Sequence, residues 1–360
     1  MPFHQYEMKL VELLVGTYTQ TDSLGIYRLR FDSAEMSFVG LSVTSGIQNP
    51  SFIAVHPSGL YAYVVSEIST GLIYCYRVMK SGALRLLGIK GTGGSGPCHV
   101  GLNRSATVAI VSNYESGSVS SFQVYGDGTL EGPSSFVQHA GSSKDVVRQS
   151  SPHAHSVTYH PEKDIAFVAD LGIDKIISYG LKLPSCELIV DPRRFISTGK
   201  GFGPRHFCWH PSGQYLYCIN ELESSISTFR NSGDGVLSLI DTSSTLPQGS
   251  HSTNTSADIH ISPDGKYVYG SNRGDDSIAV LEVDNVSGNL NFKTAISAGG
   301  HTPRNFALTP DGRFLFVANQ DSNNIVVFER NPITGWIHQT GVETSIPSPV
   351  CIKFLPETKH

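Results

Sequence analysis

Short runs of apolar residues, separated by turn-forming residues, recur along the whole chain. Residues 204–221 are one copy: Pro-Arg-His and an apolar run, a Pro-Ser-Gly turn, and a second run of alternating large residues that ends in Asn-Glu. This order predicts a tight antiparallel β-hairpin. Variants of it occupy residues 50–67, 97–114, 153–171, 256–273 and 303–320. A first-turn marker recurs at intervals of roughly fifty residues, the spacing of a structural repeat, at Pro57, Arg104, Pro161, Pro211, Pro263 and Pro310.

Each complete copy continues into two further strands, so the repeat unit has four. In the copy that begins at residue 50, strands are expected at 52–55, 61–65, 71–77 and 83–87. Turn pairs such as Ser81-Gly82 and Asp127-Gly128 join the third strand to the fourth. A four-stranded antiparallel unit that repeats at this spacing is typical of a β-propeller blade.

The two ends of the chain complement each other. The N-terminal part supplies three strands, at 11–18, 25–30 and 36–41, and residues 349–354 supply the missing first strand. We therefore predict an all-β, seven-bladed β-propeller with four antiparallel strands per blade, closed by pairing of the N- and C-terminal strands. It forms a single domain over residues 10–356, preceded by an N-terminal extension at 1–9. A β-sandwich would explain neither the fixed period nor the complementary ends.

Composition narrows the class of partner and the compartment. The chain has 360 residues and a formal net charge of -5, so neither a nucleic-acid footprint nor a basic membrane surface is indicated. The apolar run at 10–15 is interrupted by Glu12 and is too short for a signal core. The six cysteines show no C-x-x-C spacing, which suits free, buried thiols. We expect a cytoplasmic protein that binds neither nucleic acid nor membrane; the sequence leaves the oligomeric state open.

Propeller topology predicts which residues meet. If each first strand runs down from the top of the central channel, the second strand returns to the top, so the flanking residues surround the upper mouth. At the starts of the first strands stand Ser51, Phe52, Cys98, His99, His155, Ser156, Arg205, His206, Ala257, Asp258, Arg304 and Asn305. At the ends of the second strands stand Thr17, Tyr18, Ser66, Glu67, Asn113, Tyr114, Asp170, Asn220, Glu221, Asn272, Arg273, Asn319 and Gln320. Arginines, imidazoles and carboxylates thus converge at one opening, which indicates a candidate site.

The connection at 133–151 is too long for an ordinary blade linker. It carries Lys144, Asp145, Arg148 and Gln149, and we expect it to fold over the mouth as a roof. The Gly-rich segment 197–203 flanks the same opening. Free backbone N–H groups and guanidiniums both donate to oxyanions, so this combination suits a phosphate or a carboxylate.

These residues also have structural interpretations. Arg205 and Arg304 follow proline at a position where an arginine can simply join two blades by a salt bridge. The recurrent asparagines can satisfy turn backbone, and His260 can be a buried, hydrogen-bonded histidine. His153 and His155 could form a metal pair, but no further ligand stands at a convincing spacing, so we expect no metal and no cofactor.

The motifs resemble those of the seven-bladed β-propeller lactonase family, which includes a bacterial type of 6-phosphogluconolactonase and the fungal carboxy-cis,cis-muconate cyclase. The matching stretches are 15–18, 153–156, 203–206, 220–222, 257–265, 272–273 and 303–304, and the resemblance covers almost the whole chain. In that family a histidine, an arginine and a glutamate with a further arginine carry the chemistry. Position by position, the resemblance places these roles on His155, Arg205, Glu221 and Arg273.

The resemblance implies hydrolysis of a phosphorylated sugar lactone, most simply 6-phosphogluconolactone, as in the pentose phosphate pathway. A lactone needs an activated water, stabilisation of the carbonyl oxygen and a proton for the leaving alkoxide. As catalytic residues we expect His155 or Glu221 as general base, and Arg205 either at the developing oxyanion or on the anionic group of the substrate. The chain has no G-x-S-x-G elbow, which favours direct attack by water. As residues that bind the small anionic substrate we expect Arg273, Arg304, His206, Asp258, Gln320 and Arg148.

Two other functions stay open at this stage. A cyclase would use the same histidine and glutamate to move a proton while a muconate carboxylate adds across a double bond. A non-catalytic propeller would use its mouth to bind a protein or a cofactor, since this fold hosts many functions.

Overall fold

The computed structural model describes residues 10–233, 235–250 and 253–356. Within these residues it has twenty-eight strands and a short 3₁₀ helix at Leu171–Ile173. The extension predicted at 1–9 lies outside the described residues. The first half of the strands are β1 Leu10–Thr17, β2 Gly25–Asp32, β3 Ser37–Ser45, β4 Pro50–Val55, β5 Tyr61–Ser66, β6 Leu72–Val78, β7 Leu84–Gly91, β8 Pro97–Leu102, β9 Val108–Asn113, β10 Ser118–Val124, β11 Leu130–Gln138, β12 Ala154–Tyr159, β13 Ile165–Asp170 and β14 Lys175–Lys182. The second half are β15 Glu187–Ser197, β16 Pro204–Trp209, β17 Tyr215–Asn220, β18 Ser225–Asn231, β19 Leu237–Ser244, β20 Thr255–Ile261, β21 Tyr267–Arg273, β22 Ser277–Val283, β23 Leu290–Ser297, β24 Pro303–Leu308, β25 Phe314–Asn319, β26 Asn324–Arg330, β27 Ile337–Ser345 and β28 Pro349–Phe354.

The strands of the described residues form seven antiparallel sheets of four strands, each sheet one blade. Six blades use consecutive strands, from β4–β7 to β24–β27, and the last has the order β28-β1-β2-β3. In that blade Leu13 pairs with Phe354 and Val15 with Ile352. The prediction of a seven-bladed propeller closed by its terminal strands is confirmed. Pairing with β28 provides hydrogen-bond partners for the backbone groups of β1, which would otherwise form an unpaired sheet edge.

Burial follows the position of a strand within its blade. All six residues of β5 and of β25 are buried, because a second strand packs against a neighbouring blade on each face. In the outermost strand β27 only Ile337 is buried, and the remaining residues are exposed or partly buried, since its edge meets solvent. Between blades the contacts are apolar: the Phe31 ring lies 5.7 Å from Phe314 and 5.2 Å from Phe316. The ring of blades therefore holds the starts of the inner strands in place around one axis.

Candidate active site

A β-bulge interrupts the start of the inner strand in all seven described blades, and in six of them a single residue is left without a partner. In β16, for example, Pro204 pairs with Asn220 and His206 with Ile219, which leaves Arg205 as the extra residue. Such bulges re-aim a side chain and recur beside active sites. The extra residues of these strands are Ser51, Cys98, His155, Arg205, Arg304 and Val350. All six line one small cavity on the axis, so the bulges determine which side chains face the mouth.

A larger cavity of about 310 Å³ opens directly above it. Its volume is at the lower end of the range for small-molecule sites, about 300–1,000 Å³. The lining residues are Tyr18, Glu67, Cys98, Tyr114, Arg148, His155, Glu221, Thr255, Arg273 and Arg304. Because most of them are charged or can hydrogen-bond, the cavity suits a polar ligand.

Glu221 is a buried carboxylate that three guanidiniums contact. Its Oε2 accepts from Arg205 Nε at 2.9 Å and lies 3.0 Å from Arg273 Nη2, while Oε1 accepts from Arg148 Nη2. Arg148 also donates to the hydroxyl of Tyr114 at 3.2 Å. Glu221 and Arg205 are only 3% and 2% exposed, so these contacts form where water competes little.

This arrangement keeps the carboxylate and the guanidiniums charged. Burial alone would raise the pKa of Glu221, but Arg273, Arg205 and Arg148 outweigh it and hold that pKa well below the usual range. Burial, with Arg273 and Arg304 nearby, lowers the pKa of Arg205 to about 10, so Arg205 is still a cation at neutral pH. Glu221 therefore acts as a permanent counter-ion.

A second chain of hydrogen bonds forms the opposite wall. Arg304 Nη2 donates to the hydroxyl of Tyr18 at 2.7 Å, and that hydroxyl donates to Glu67 Oε2 at 3.0 Å. Burial raises the pKa of Tyr18, so its phenol is protonated at neutral pH. Glu67 thus presents a carboxylate, which accepts hydrogen bonds, to a cavity otherwise rich in donors.

His155 lies where the two cavities meet. It is 4% exposed, and its ring is 5.4 Å from that of Tyr114 and 5.2 Å from that of His206. Burial first, then the charge of Arg205, lowers the pKa of His155 well below its ordinary value. At neutral pH this side chain is an uncharged imidazole that can accept a proton.

His206 and Asp258 lie lower in the channel. Asp258 Oδ1 is 2.8 Å from His206 Nδ1, and Oδ2 is 3.1 Å from His260 Nε2. Asn305 Nδ2 and the backbone N–H of Phe306 also donate to Oδ2. His260 is therefore hydrogen-bonded, as its structural interpretation supposed, but its side chain is 32% exposed rather than buried.

The structure brings most of the predicted residues to this mouth. His155, Glu221, Arg148, Arg273 and Arg304 line the larger cavity, and Arg205 and His206 line the smaller one. Asp258 reaches the site only through His206. Gln320 is not brought to either cavity, and its Nε2 donates to Asp321 Oδ1 at 3.1 Å.

Sequence reasoning left five residues that line the larger cavity out of its list of site residues: Tyr18, Glu67, Cys98, Tyr114 and Thr255. Tyr18 and Glu67 stand at the ends of second strands, the signal that singled out Glu221, but no motif distinguished them from their neighbours. Thr255 begins β20 and carried no signal in the sequence. The recurrent asparagines hold turns together instead: Asn220, for example, donates to Ser225 and Ser227.

The predicted roof is shorter than expected. Residues 133–138 belong to the outer strand β11, because they pair with β10 from Ser118 to Ser121. The connection over the mouth begins at His139, and it does bring Arg148 to the larger cavity. It is fastened by Gln149, which is buried and donates from Nε2 to Leu171 O at 2.8 Å and to Asp174 Oδ1 at 2.7 Å.

His153 and His155 do not form the metal-binding pair considered from the sequence. The ring of His153 stacks on Tyr114 at 4.5 Å, and its Nδ1 is 2.9 Å from Tyr114 O. In the described part of the chain no three His, Cys, Asp or Glu side chains are grouped so as to hold a metal ion. Nor does any helix there have the length and apolar character of a membrane span.

Comparison with known proteins gives one consistent result. A family model described as "Lactonase, 7-bladed beta-propeller" matches residues 12–354. The chain is 34% identical over 344 residues to a 6-phosphogluconolactonase of Bacillus subtilis, an alignment that covers 95% of this chain and 97% of the relative.

Two solved structures are similar over nearly the whole chain. A putative 6-phosphogluconolactonase from Bacteroides fragilis has a TM-score of 0.90 at 33% identity and covers 96% of this chain and 98% of its own. The periplasmic gluconolactonase PpgL from Pseudomonas aeruginosa has a TM-score of 0.91 at 33% identity, with 96% and 99% covered. Because one relative is periplasmic, the expected cytoplasmic location stays a prediction.

Proposed function

We propose that the substrate of this chain, a carboxylic ester hydrolase that belongs to the seven-bladed β-propeller lactonase family, is 6-phosphogluconolactone, hydrolysed to 6-phosphogluconate. The observation that carries the proposal is the charge of the site. Among the described residues, the guanidiniums of Arg148, Arg205, Arg273 and Arg304 face the carboxylates of Glu67 and Glu221 around the two cavities. The excess of two positive charges matches a phosphate near neutral pH, which carries about −1.5 to −2.

The two walls of the cavity fit the two ends of such a substrate. Arg273 offers a further donor, since its Nε is buried and lacks a hydrogen-bond partner among the described residues. We assign the phosphate to the side of Arg273 and Arg148, because guanidiniums bind phosphate in a bidentate manner. We assign the sugar hydroxyls to Glu67, because a carboxylate accepts from hydroxyl groups but repels another carboxylate. For that second reason we favour a sugar lactone over the dicarboxylate that a muconate cyclase takes.

Proton transfer is assigned to His155 rather than to Glu221. Both carboxylate oxygens of Glu221 are already engaged by guanidiniums, so this side chain has no free position from which to take a proton from water. His155 is an uncharged imidazole at the floor of the cavity, so it can take a proton from water and return it to the leaving alkoxide. Arg205 then stabilises the developing oxyanion, and Glu221 holds Arg205 and Arg273 in place.

An unphosphorylated sugar lactone is the second candidate, because the similar protein from Pseudomonas aeruginosa is named a gluconolactonase. The two differ in the phosphate alone. An arginine that binds phosphate should therefore matter for one substrate and hardly for the other.

The test measures hydrolysis of freshly generated 6-phosphogluconolactone and of gluconolactone above the spontaneous rates, with and without a chelator. We expect the phosphorylated lactone to be preferred, and Arg273→Ala to lower kcat/KM for it more than for gluconolactone. Arg313→Ala is the control, since Arg313 forms an exposed ion pair with Glu329. Equal losses on both lactones would refute the phosphate assignment. If neither lactone is hydrolysed, the proposal fails, and a cyclase or a binding role is favoured.

A further inference from the structure

The small cavity beneath the substrate site is lined by two polar side chains, Ser51 and His206, to which the proposed mechanism gives no role. Its volume is about 10 Å³, and a water molecule needs on the order of 10–15 Å³. Glu67, Cys98, His155 and Arg304 line both cavities, so the smaller one opens into the floor of the larger one. A water held here would lie next to a lactone seated above.

Two buried polar atoms of this cavity lack hydrogen-bond partners among the described residues: His206 Nε2 and Ser51 Oγ. The two residues are 7% and 4% exposed, respectively. Buried polar groups are rarely left unpaired, because an unmet hydrogen bond costs about 1–3 kcal/mol. Both residues line the same cavity, so one molecule between them could satisfy both atoms.

Asp258 determines which hydrogen His206 carries. The carboxylate accepts from Ile259 N at 3.0 Å as well as from its neighbours lower in the channel, and these donors keep it anionic. An anionic partner 2.8 Å away requires the hydrogen of His206 to be on Nδ1. The lone pair of an uncharged His206 is therefore on Nε2, the atom that lacks a partner among the described residues and can accept a hydrogen bond.

We propose that a water molecule occupies the small cavity, held by His206 Nε2 and Ser51 Oγ, and that this molecule is the one that attacks the lactone. This inference rests on the proposed function. The water donates one hydrogen to His206 and its other proton passes to His155, while its oxygen bonds to the carbonyl carbon and the carbonyl electrons move to the oxyanion beside Arg205.

The second half of the reaction restores the site. The carbonyl re-forms, the ring C–O bond breaks, and its electron pair leaves with the ring oxygen, which takes the proton back from His155. His206 and Ser51 stay unchanged throughout and hold the next water. They contact the reacting water rather than the lactone, so their loss should lower kcat and leave KM nearly constant.

The test combines kinetics and crystallography of the full chain. Ser51→Ala removes one contact with the water, Ser51→Val fills the cavity with methyl groups, and His206→Gln removes the imidazole. With the preferred lactone we expect kcat to fall about tenfold in Ser51→Ala, the value of one hydrogen bond. We expect a larger fall in Ser51→Val, which excludes the attacking water, and a fall of at least about tenfold in His206→Gln, which removes the imidazole that holds that water. KM should stay within about twofold. Ser112→Ala is the matched control, because Ser112 Oγ is also buried and unpartnered among the described residues but lies outside the cavity, and it should retain full kcat.

A crystal structure of the wild-type chain should show a water about 2.7–3.2 Å from both His206 Nε2 and Ser51 Oγ, and that of Ser51→Val should not. A wild-type structure without such a water would overturn the proposal. So would an unchanged kcat in Ser51→Val and His206→Gln while the wild type hydrolyses the lactone. A wild type that hydrolyses no lactone would instead refute the proposed function itself, so the two failures can be told apart.

Discussion

Replacing Glu221 by glutamine should destabilise the protein far more than an ordinary charge removal. The variant keeps the size of the side chain but leaves two arginines without their counter-ion. Arg205 is buried and 2.9 Å from Glu221, and Arg273 is 14% exposed and 3.0 Å from it. Breaking a buried ion pair in this way costs about 3–5 kcal/mol. The contact with Arg148 adds little, because that side chain is 37% exposed and solvent screens it.

Thermal unfolding measures the effect. An entropy of unfolding of about 2.1 cal/mol/K per residue converts this loss into a fall in Tm of roughly 4–7 °C for a chain of this length. Glu282→Gln is the matched control, since Glu282 pairs with Lys293 at the same 3.0 Å but both side chains are more than 40% exposed. That control should lower Tm by less than about 1 °C, because exposed pairs contribute little. Equal shifts in the two variants would refute the reasoning.

The pH dependence of this difference in Tm tests whether the lost charge of Glu221 is the cause. The pKa of Glu221 is depressed in the folded protein, so its contribution to stability is complete above the unfolded value, about 4.3. It is lost as the pH falls toward the folded value. The difference in Tm between wild type and Glu221→Gln should therefore be constant from neutral pH down to about pH 5 and shrink at lower pH. A difference that does not change between pH 7 and pH 3 would show that lost packing, rather than lost charge, is responsible.

Three further predictions concern the roof, the specificity and the base. Asp174→Ala removes the carboxylate that accepts hydrogen bonds from Ser143 Oγ and Gly203 N, so amide hydrogen exchange at 139–150 should accelerate at least tenfold. The control is Asp276→Ala, at the equivalent position two blades on, which should leave that exchange rate unchanged. Glu67→Gln should raise KM for a sugar lactone several-fold and lower kcat less, because it weakens the acceptor of the hydroxyls; a change in kcat alone would contradict that role. The pKa of His155 is depressed, so kcat/KM should be lost only as the pH falls below the ordinary histidine value of about 6.5. If kcat/KM, after subtraction of spontaneous hydrolysis, already falls above that pH, His155 is excluded as the base.

The sequence alone determined the architecture and the location of the site. Strand alternation and turn residues are local signals, and their repetition, together with incomplete ends that complement each other, allows one closed ring. Topology then brings the ends of the inner strands to one mouth. The order of the strands therefore predicts that five residues lie together there: His155, Arg205, Glu221, Arg273 and Arg304.

Only the tertiary structure shows which of those residues contact one another. Glu67 and Gln320 occupy equivalent places in the repeat, yet one lines the cavity and the other turns to Asp321. Arg148 reaches Glu221 only because the roof crosses from one blade to another, a contact between residues 73 positions apart. The pairing of His206 with Asp258 likewise joins two blades. The repeat pattern predicts the strands and turns of each blade. The contacts between blades, and the charges that those contacts bring together, depend on how the blades pack around the ring.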